Sequence, residues 1–294
     1  MRSSRSRALN DGALYLVLSL CSVAFMVPFL FAVGTSLKPI SLLHIYPPIL
    51  FPPISDVHPE NYLRIFNVPF VPFAAFYRNT IIITGASLIG AVLSATASAY
   101  GFARFRWPGR DFFFMVLLAT IVLPEEVVII PKYLMFHFVP EWLFGSTWID
   151  TYWPLILPSW FGGGAFSVFL LRQFFLQLPR ELDEAALIDG ANTWQIFWNI
   201  AVPLSKPALA TVAIFSFLGH WNDFIHPLIY LNTPAKFPLS VGLRWFDQQP
   251  NDLSEPREHL LMTAAMLMMV PCVAIFFAMQ RYFVRGIILS GLKG

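Results

Sequence analysis

Charged side chains are scarce in this sequence. Asp, Glu, Lys and Arg make up 12% of its 294 residues, whereas a soluble domain carries roughly 25%. The shortage is uneven, because the charges cluster between long uncharged runs. That excludes an ordinary soluble domain and describes a membrane chain. A formal net charge of +2 is too small for a nucleic-acid-binding surface, so no nucleic-acid partner is expected. Cysteine is rare as well. Cys21 and Cys272 each sit inside an apolar run, which argues for small packing residues and against a structural disulfide. Motifs that carry chemistry are also missing. No G-x-x-x-x-G-K-[ST] sequence occurs, so ATP binding through a Walker loop is not expected, and neither H-E-x-x-H nor G-x-S-x-G is present. His220, Asp223 and His226 fall at i, i+3 and i+6. That spacing spreads the histidines over nearly two turns, so no metal site is expected. The chain reads as non-catalytic and without a cofactor of its own.

What the sequence does hold is long apolar runs. A spanning helix needs about 20 apolar residues, and six stretches qualify: 13–37, 80–103, 112–130, 152–171, 207–231 and 260–280. Each is expected to be helical, since no water in the bilayer can satisfy exposed backbone groups. Three carry interruptions: Pro124, Glu125 and Glu126 in the third, Gly162 to Gly164 in the fourth, Asn222 and Asp223 in the fifth. Arg2, Arg5 and Arg7 ahead of the first run imitate a signal peptide, but the run is too long and no small-residue cleavage site follows. Residues 38–75 contain eight prolines, which excludes a long helix there, and 232–259 are polar enough for a second external loop. Neither is long enough for an independent domain. Residues 1–294 are therefore expected to form one all-α, polytopic membrane domain.

Orientation follows from the basic residues. With the N-terminus in the cytoplasm, twelve Lys and Arg lie inside and seven outside. Both termini are thus expected in the cytoplasm. In the second run Ala86, Gly90, Ser94 and Ser98 recur every four residues, with Ala91, Ala95 and Ala99 beside them. Such a stripe lets another helix approach closely.

The cytoplasmic loop 177–206 is the most informative segment. Pro179 can open a helix, and Glu181, Asp183 and Glu184 then complement its dipole. Gly190 supplies a left-handed stop, and Asn192 or Thr193 can cap a second helix. That helix carries Trp194, Ile196, Phe197 and Ile200 on an apolar face and is expected to end at Pro203. Two short helices joined at a glycine make a rigid knob on the cytoplasmic face.

Glu184-Ala185-Ala186, three residues, Gly190, nine residues, then Ile200-Ala201-Val202-Pro203 resemble the E-A-A-x3-G-x9-I-x-L-P signature of ABC importer permeases, with Val202 in place of leucine. Pro59-Glu60-Asn61-Tyr62, Trp221-Asn222-Asp223 and the ending Gly291-Leu292-Lys293-Gly294 are similar to the carbohydrate-uptake branch, closest to its maltose-type six-span subunit. The resemblance implies an ATP-driven importer of a sugar or oligosaccharide in a prokaryotic inner membrane. It implies that Glu184, Ala185, Ala186, Gly190, Ile200 and Pro203 form a coupling helix that docks on an ATPase, with Glu184 facing a basic group. The partners implied are a second, different permease chain, an ATPase dimer holding ATP and Mg, and an extracytoplasmic solute-binding protein. Residues 291–294 would reach into the ATPase dimer. Glu125-Glu126 departs from the small or amide residues common in that family.

Carboxylates at membrane depth need a reason, since each costs about 2.5–3.5 kcal/mol near a helix centre on insertion scales. Asn222 and Asp223 are candidates for lining the solute pathway, and Glu125 and Glu126 for a helix break facing a watery cavity. A buried hydrogen bond holding helices together is the structural alternative for Asp223. The competing functional class is an ion-gradient-driven secondary transporter or channel that uses these carboxylates as relays. An intramembrane enzyme is a further rival. Neither explains the docking loop.

Overall fold

The computed structural model describes residues 4–69, 71–248 and 257–291, with side chains over 12–69, 71–248 and 257–280. Among these residues there are helices and no strands. In chain order the α-helices are α1 Ser4–Ser36, α2 Asn61–Arg64, α3 Phe73–Arg104, α4 Arg110–Val122, α5 Glu125–Phe144, α6 Trp153–Ile156 and α7 Ala165–Gln177. They continue as α8 Glu181–Ile188, α9 Thr193–Ile196, α10 Val202–Leu204, α11 Lys206–Trp221, α12 Ile225–Tyr230, α13 Leu239–Gln248 and α14 Glu258–Gly291. Five segments are long and apolar enough to cross a membrane: Gly12–Ser36, Phe73–Arg104, Glu125–Phe144, Trp153–Gln177 and Glu258–Gln280. A sixth arises if Thr193–Leu204 and Lys206–Trp221, bent by 77°, count as one.

Three of the six expected spans are interrupted, each for a local reason. The run 112–130 is not one helix. Leu123 takes an extended conformation (ψ 120°) ahead of Pro124, because a proline ring disfavours α geometry in the residue before it. The run 152–171 breaks at Gly162, Gly163 and Gly164, whose φ values are 92°, 59° and 88°, a region open to glycine and costly for other residues. The run 207–231 stops as a continuous helix at Trp221. There the Asn222 amide donates to Leu218 O at 2.9 Å, and Asp223 Oδ1 accepts from the His226 N–H at 3.3 Å. Asn and Asp side chains compete in this way with the helical ladder. The loop 232–259 differs too, since it contains α13 among its described residues, with Leu239, Val241 and Phe246 buried.

The chain divides into two compact units, Met1–Phe73 with Leu243–Pro271, and Ala74–Gly242 with Cys272–Gly294. In the first unit the Pro59–Tyr62 stretch closes the end of α1. Asn61, fully buried, donates to Ser36 O (3.0 Å) and Lys38 O (3.1 Å), Thr263 Oγ1 donates to Ser36 O (3.2 Å), and the Tyr62 and Ser36 hydroxyls pair at 2.9 Å. These bonds satisfy carbonyls that a helix C-terminus leaves orphaned.

In the second unit the small-residue stripe of α3 packs the interrupted segment 153–164. Ser87 and Ser94 donate to Leu155 O (3.2 Å) and Ser159 O (2.9 Å). Gly90 lies under the Trp160 ring, and Gly163 lies against Ala91 and Ala95. Further along, Ala95, Ala99, Tyr100 and Ala103 join Val168, Leu171 and Phe175 of α7 and Val212 of α11 in one buried cluster.

Asp150 ties two loops of this unit together. Its carboxylate accepts from the backbone N–H groups of Asn232 (2.9 Å) and Thr233 (3.0 Å), from the Thr233 hydroxyl (2.7 Å) and from Lys236 Nζ (2.7 Å). Burial pushes the Asp150 carboxyl up, but the bonds from Lys236, Thr233 and Asn232 together hold it well below the usual carboxylate range. A depressed carboxyl pKa contributes stability that is complete above the unfolded value of about 3.9 and is lost as pH falls from there. Asp150→Asn keeps the left-handed backbone (φ 58°) accessible and removes the ion pair. The variant is expected to melt below the parent from pH 5 to 8 and to converge with it in stronger acid, as thermal unfolding at stepped pH will show.

Candidate functional site

The loop 177–206 folds as a two-helix element fixed to the core. Pro179 lies just ahead of α8, whose first turn carries Glu181, Asp183 and Glu184. Gly190, at φ 85°, makes the turn after it. Asn192 caps α9 in a reciprocal box with Gln195, at 2.9 Å one way and 2.8 Å the other. The second helix closes at Leu204, one residue past Pro203 and close to its expected end. A π-turn over Phe197–Ala201 widens the helix ahead of Pro203, which accommodates a residue with no N–H and a bulky ring. The helix then closes as α10 and turns through 77° into α11.

Two anchors hold this element. Phe197 and Ala201 enter the buried cluster with Tyr100 and Phe175. Arg104, at the end of α3, donates to Leu178 O (2.9 Å) and faces Asp183 at 3.5 Å with only 6% of its side chain exposed. The opposite side is open. Glu184, Ala185, Leu187 and Trp194 are exposed, and Ile188 is 87% exposed. Of the expected apolar face, Ile196 and Phe197 are buried and Ile200 half-buried, whereas Trp194 points outward and Pro203 is exposed. Gly291 ends α14, and Leu292, Lys293 and Gly294 lie outside the described residues.

A second feature is a cavity of about 830 Å³. Its wall runs from Phe113 and Leu117 of α4, past Gly162, Gly163 and Gly164, to Glu125 and Lys132 of α5 and Asp223, His226 and Tyr230 beside and within α12. All three helix interruptions contribute to it. Its polar end is a connected set of charges. His226 Nδ1 faces the Asp223 carboxylate at 3.0 Å, His226 Nε2 faces Glu125 Oε1 at 3.1 Å, and Lys132 Nζ lies 3.7 Å from Glu125. His220 is held separately, by Ser159 (2.9 Å) and by Ser216, so the two histidines serve different contacts.

Of the four pathway candidates, the structure brings together Glu125 and Asp223. Asn222 and Glu126 are exposed and outside the cavity wall. Sequence reasoning missed Lys132, His226 and Tyr230 as members. The usable signal was the Asp223–His226 spacing of three at a helix start, where an acidic side chain just ahead of α12 reaches the His226 N–H.

Several apolar helices able to cross a bilayer and an exposed two-helix loop define a multi-pass membrane protein. The chain matches the binding-protein-dependent transport system inner membrane component family over residues 87–289 and belongs to that family. It is 30% identical over 240 residues to the probable ABC transporter permease protein YurM of Bacillus subtilis, covering 82% of this chain and 75% of that one. It is 33% identical over 219 residues to the sn-glycerol-3-phosphate transport system permease protein UgpE of Yersinia enterocolitica, covering 74% of each. The fold matches a bacterial ABC transporter involved in the import of the acidic polysaccharide alginate, with a TM-score of 0.79 and 24% identity over 96% of this chain and 98% of that one. The protein is an ABC importer permease, and its relatives are transport subunits.

Proposed function

We propose that loop 177–206 is the coupling element of this permease, facing the cytoplasm together with both termini. It docks on one subunit of a separate ATPase dimer, which holds the ATP and Mg, so this chain contributes no catalysis and no cofactor. The observation that carries the reading is the loop's construction. It is stapled to the core by Phe197, Ala201 and the Arg104–Asp183 pair, yet presents Leu187, Ile188, Trp194 and Glu184 to solvent. An exposed apolar patch with an acidic rim is the mark of a protein contact. A lever needs a rigid joint at one end and a free contact surface at the other, and the 77° bend into α11 supplies the arm. ATP-driven closure of the partner moves the loop, and the helices carrying the interruptions move with α11.

In this reading the chain supplies half of the translocation path and sits in a prokaryotic inner membrane beside a second, different permease. A binding protein delivers solute from outside, and residues 291–294 add a contact to the ATPase. Glu125 and Asp223 line the path, with Asn222 and Glu126 at its margin. The named cargoes among similar proteins, sn-glycerol-3-phosphate and alginate, are both polyhydroxylated, which supports a sugar or related polyol as solute. One observation favours an ion-driven carrier instead, because interrupted helices meeting at a charged cavity are what such carriers use. Reconstitution separates the two. Uptake should require the ATPase, hydrolysable ATP and the binding protein, and uptake driven by an ion gradient with no ATPase present would overturn the proposal.

A further inference from the structure

We propose that the turn between α3 and α4 binds the phosphate of an anionic phospholipid, held by Arg106 and Arg110 with Trp107 and Phe112 at the lipid boundary. The site does not depend on the docking role of loop 177–206. A pocket of about 490 Å³ opens at this turn, walled by Arg106, Trp107, Gly109, Arg110, Asp111 and Phe112. That volume is enough for a headgroup, since small-molecule sites run from roughly 300 to 1,000 Å³. The turn has a fixed internal structure. Gly109 sits at φ 83°, and Arg110 donates to Phe105 O at 3.3 Å and to the Asp111 carboxylate at 2.9 Å. Trp107 packs against Phe102 and Phe113, with ring centroids 5.6 and 5.8 Å away.

Charge and apolar surface together name the ligand. Arg106 is exposed and has neither a hydrogen bond nor an ion pair among the described residues. Arg110 still has N–H donors to spare beyond the two it uses. Arg172, whose guanidinium lies 4.0 Å from the centre of the Phe114 ring, is near enough to feel the charges of Arg110 and Asp111. Asp111, the carboxylate of the pocket wall, is already matched by Arg110, so positive charge is in excess. Guanidinium forks fit phosphate oxygens. A free anion would satisfy the arginines and leave the rim bare, because Phe105, Phe112, Phe113 and Met115 are all exposed beside them. A phospholipid meets both halves, with its phosphate on the arginines and its acyl chains along α4. Trp107 stands at the end of an apolar helix, where interface tryptophans belong, and basic pockets at such helix ends recognise anionic headgroups. The turn follows directly on Arg104, which donates to Leu178 O at 2.9 Å, so a bound lipid braces the end of α3 on which loop 177–206 rests.

The test uses the assembled importer in phosphatidylcholine vesicles containing phosphatidylglycerol. A trace of phosphatidylglycerol with a photoactivatable group beside its headgroup is crosslinked, phosphatidylcholine with the same group serves in a parallel sample, and peptide 105–116 is read by mass spectrometry. Labelling by phosphatidylglycerol is expected to exceed that by phosphatidylcholine about tenfold. Arg106→Gln, which breaks no internal bond, should cut it several-fold while the complex elutes unchanged on size exclusion, and Arg106→Lys should recover part of it. Excess inorganic phosphate should leave the labelling as it was. Equal labelling by the two lipids would overturn the proposal, as would labelling undiminished in Arg106→Gln. Displacement by inorganic phosphate would overturn it in favour of a free-anion site, and a peptide that takes no lipid label at all would do so in favour of a partner chain covering the turn.

Discussion

Reversing the charge at Glu184 is expected to abolish ATP-driven uptake while leaving the folded protein intact. The side chain stands exposed on α8 and makes no structural contact beyond the helix-dipole effect, about 0.3–1 kcal/mol at an exposed position, so the fold has little stake in the carboxylate. Its value is in the partner. If Glu184 meets a basic group of the ATPase, Glu184→Arg leaves two like charges facing each other in a desolvated contact, and uptake should fall about 100-fold or more. Stimulation of ATP hydrolysis by the liganded binding protein should vanish with it, while the melting temperature of the permease stays put. The pattern matters more than the size of the loss. Asp183→Asn touches the anchor and not the contact, because it leaves Arg104, 6% exposed, without its counter-charge. That variant should lower stability as well as uptake.

The second large effect is expected at Gly163. A Cβ built there would overlap the Ala91 carbonyl oxygen and come within 2.8 Å of the Ala95 Cβ, and the backbone sits at φ 59°. Ala91 and Ala95 are themselves buried, so nothing nearby can give. Gly163→Val should therefore block assembly of the folded membrane complex, read as loss of the monodisperse species after detergent extraction. Gly162→Ala is the control. Its φ is 92° but no atom lies within 4 Å of the added carbon, so the cost is backbone strain alone, on the order of 1–2 kcal/mol. That variant should assemble with a lowered melting temperature.

These two residues mark what the sequence made legible. The two-helix loop 177–206 was readable because its signals are local: Glu181 to Glu184 at a helix start, Gly190 as a stop, Asn192 as a cap. Each is set by chemistry within four residues. The small-residue stripe of α3 was also readable, but not its partner, since nothing in the spacing of Gly90 and Ser94 says that Trp160 and Ser159 will face them. The interruptions were visible as Pro124, Gly162 to Gly164 and Asn222-Asp223, though hydropathy carried each run straight through them. Averaging over about 20 residues hides a single broken turn. The Glu125–His226–Asp223 set was the least legible part, because it joins residues about a hundred positions apart through the convergence of three breaks.

The measurement that bears most directly on the docking role is a cysteine crosslink at Ile188, the most exposed apolar position of the loop at 87%. In membranes containing the whole importer, Ile188→Cys carrying a short photoactivatable crosslinker should capture the ATPase subunit, with a yield that changes when ATP is added. Capture of lipid or of this chain's own helices alone, with and without nucleotide, would contradict the account.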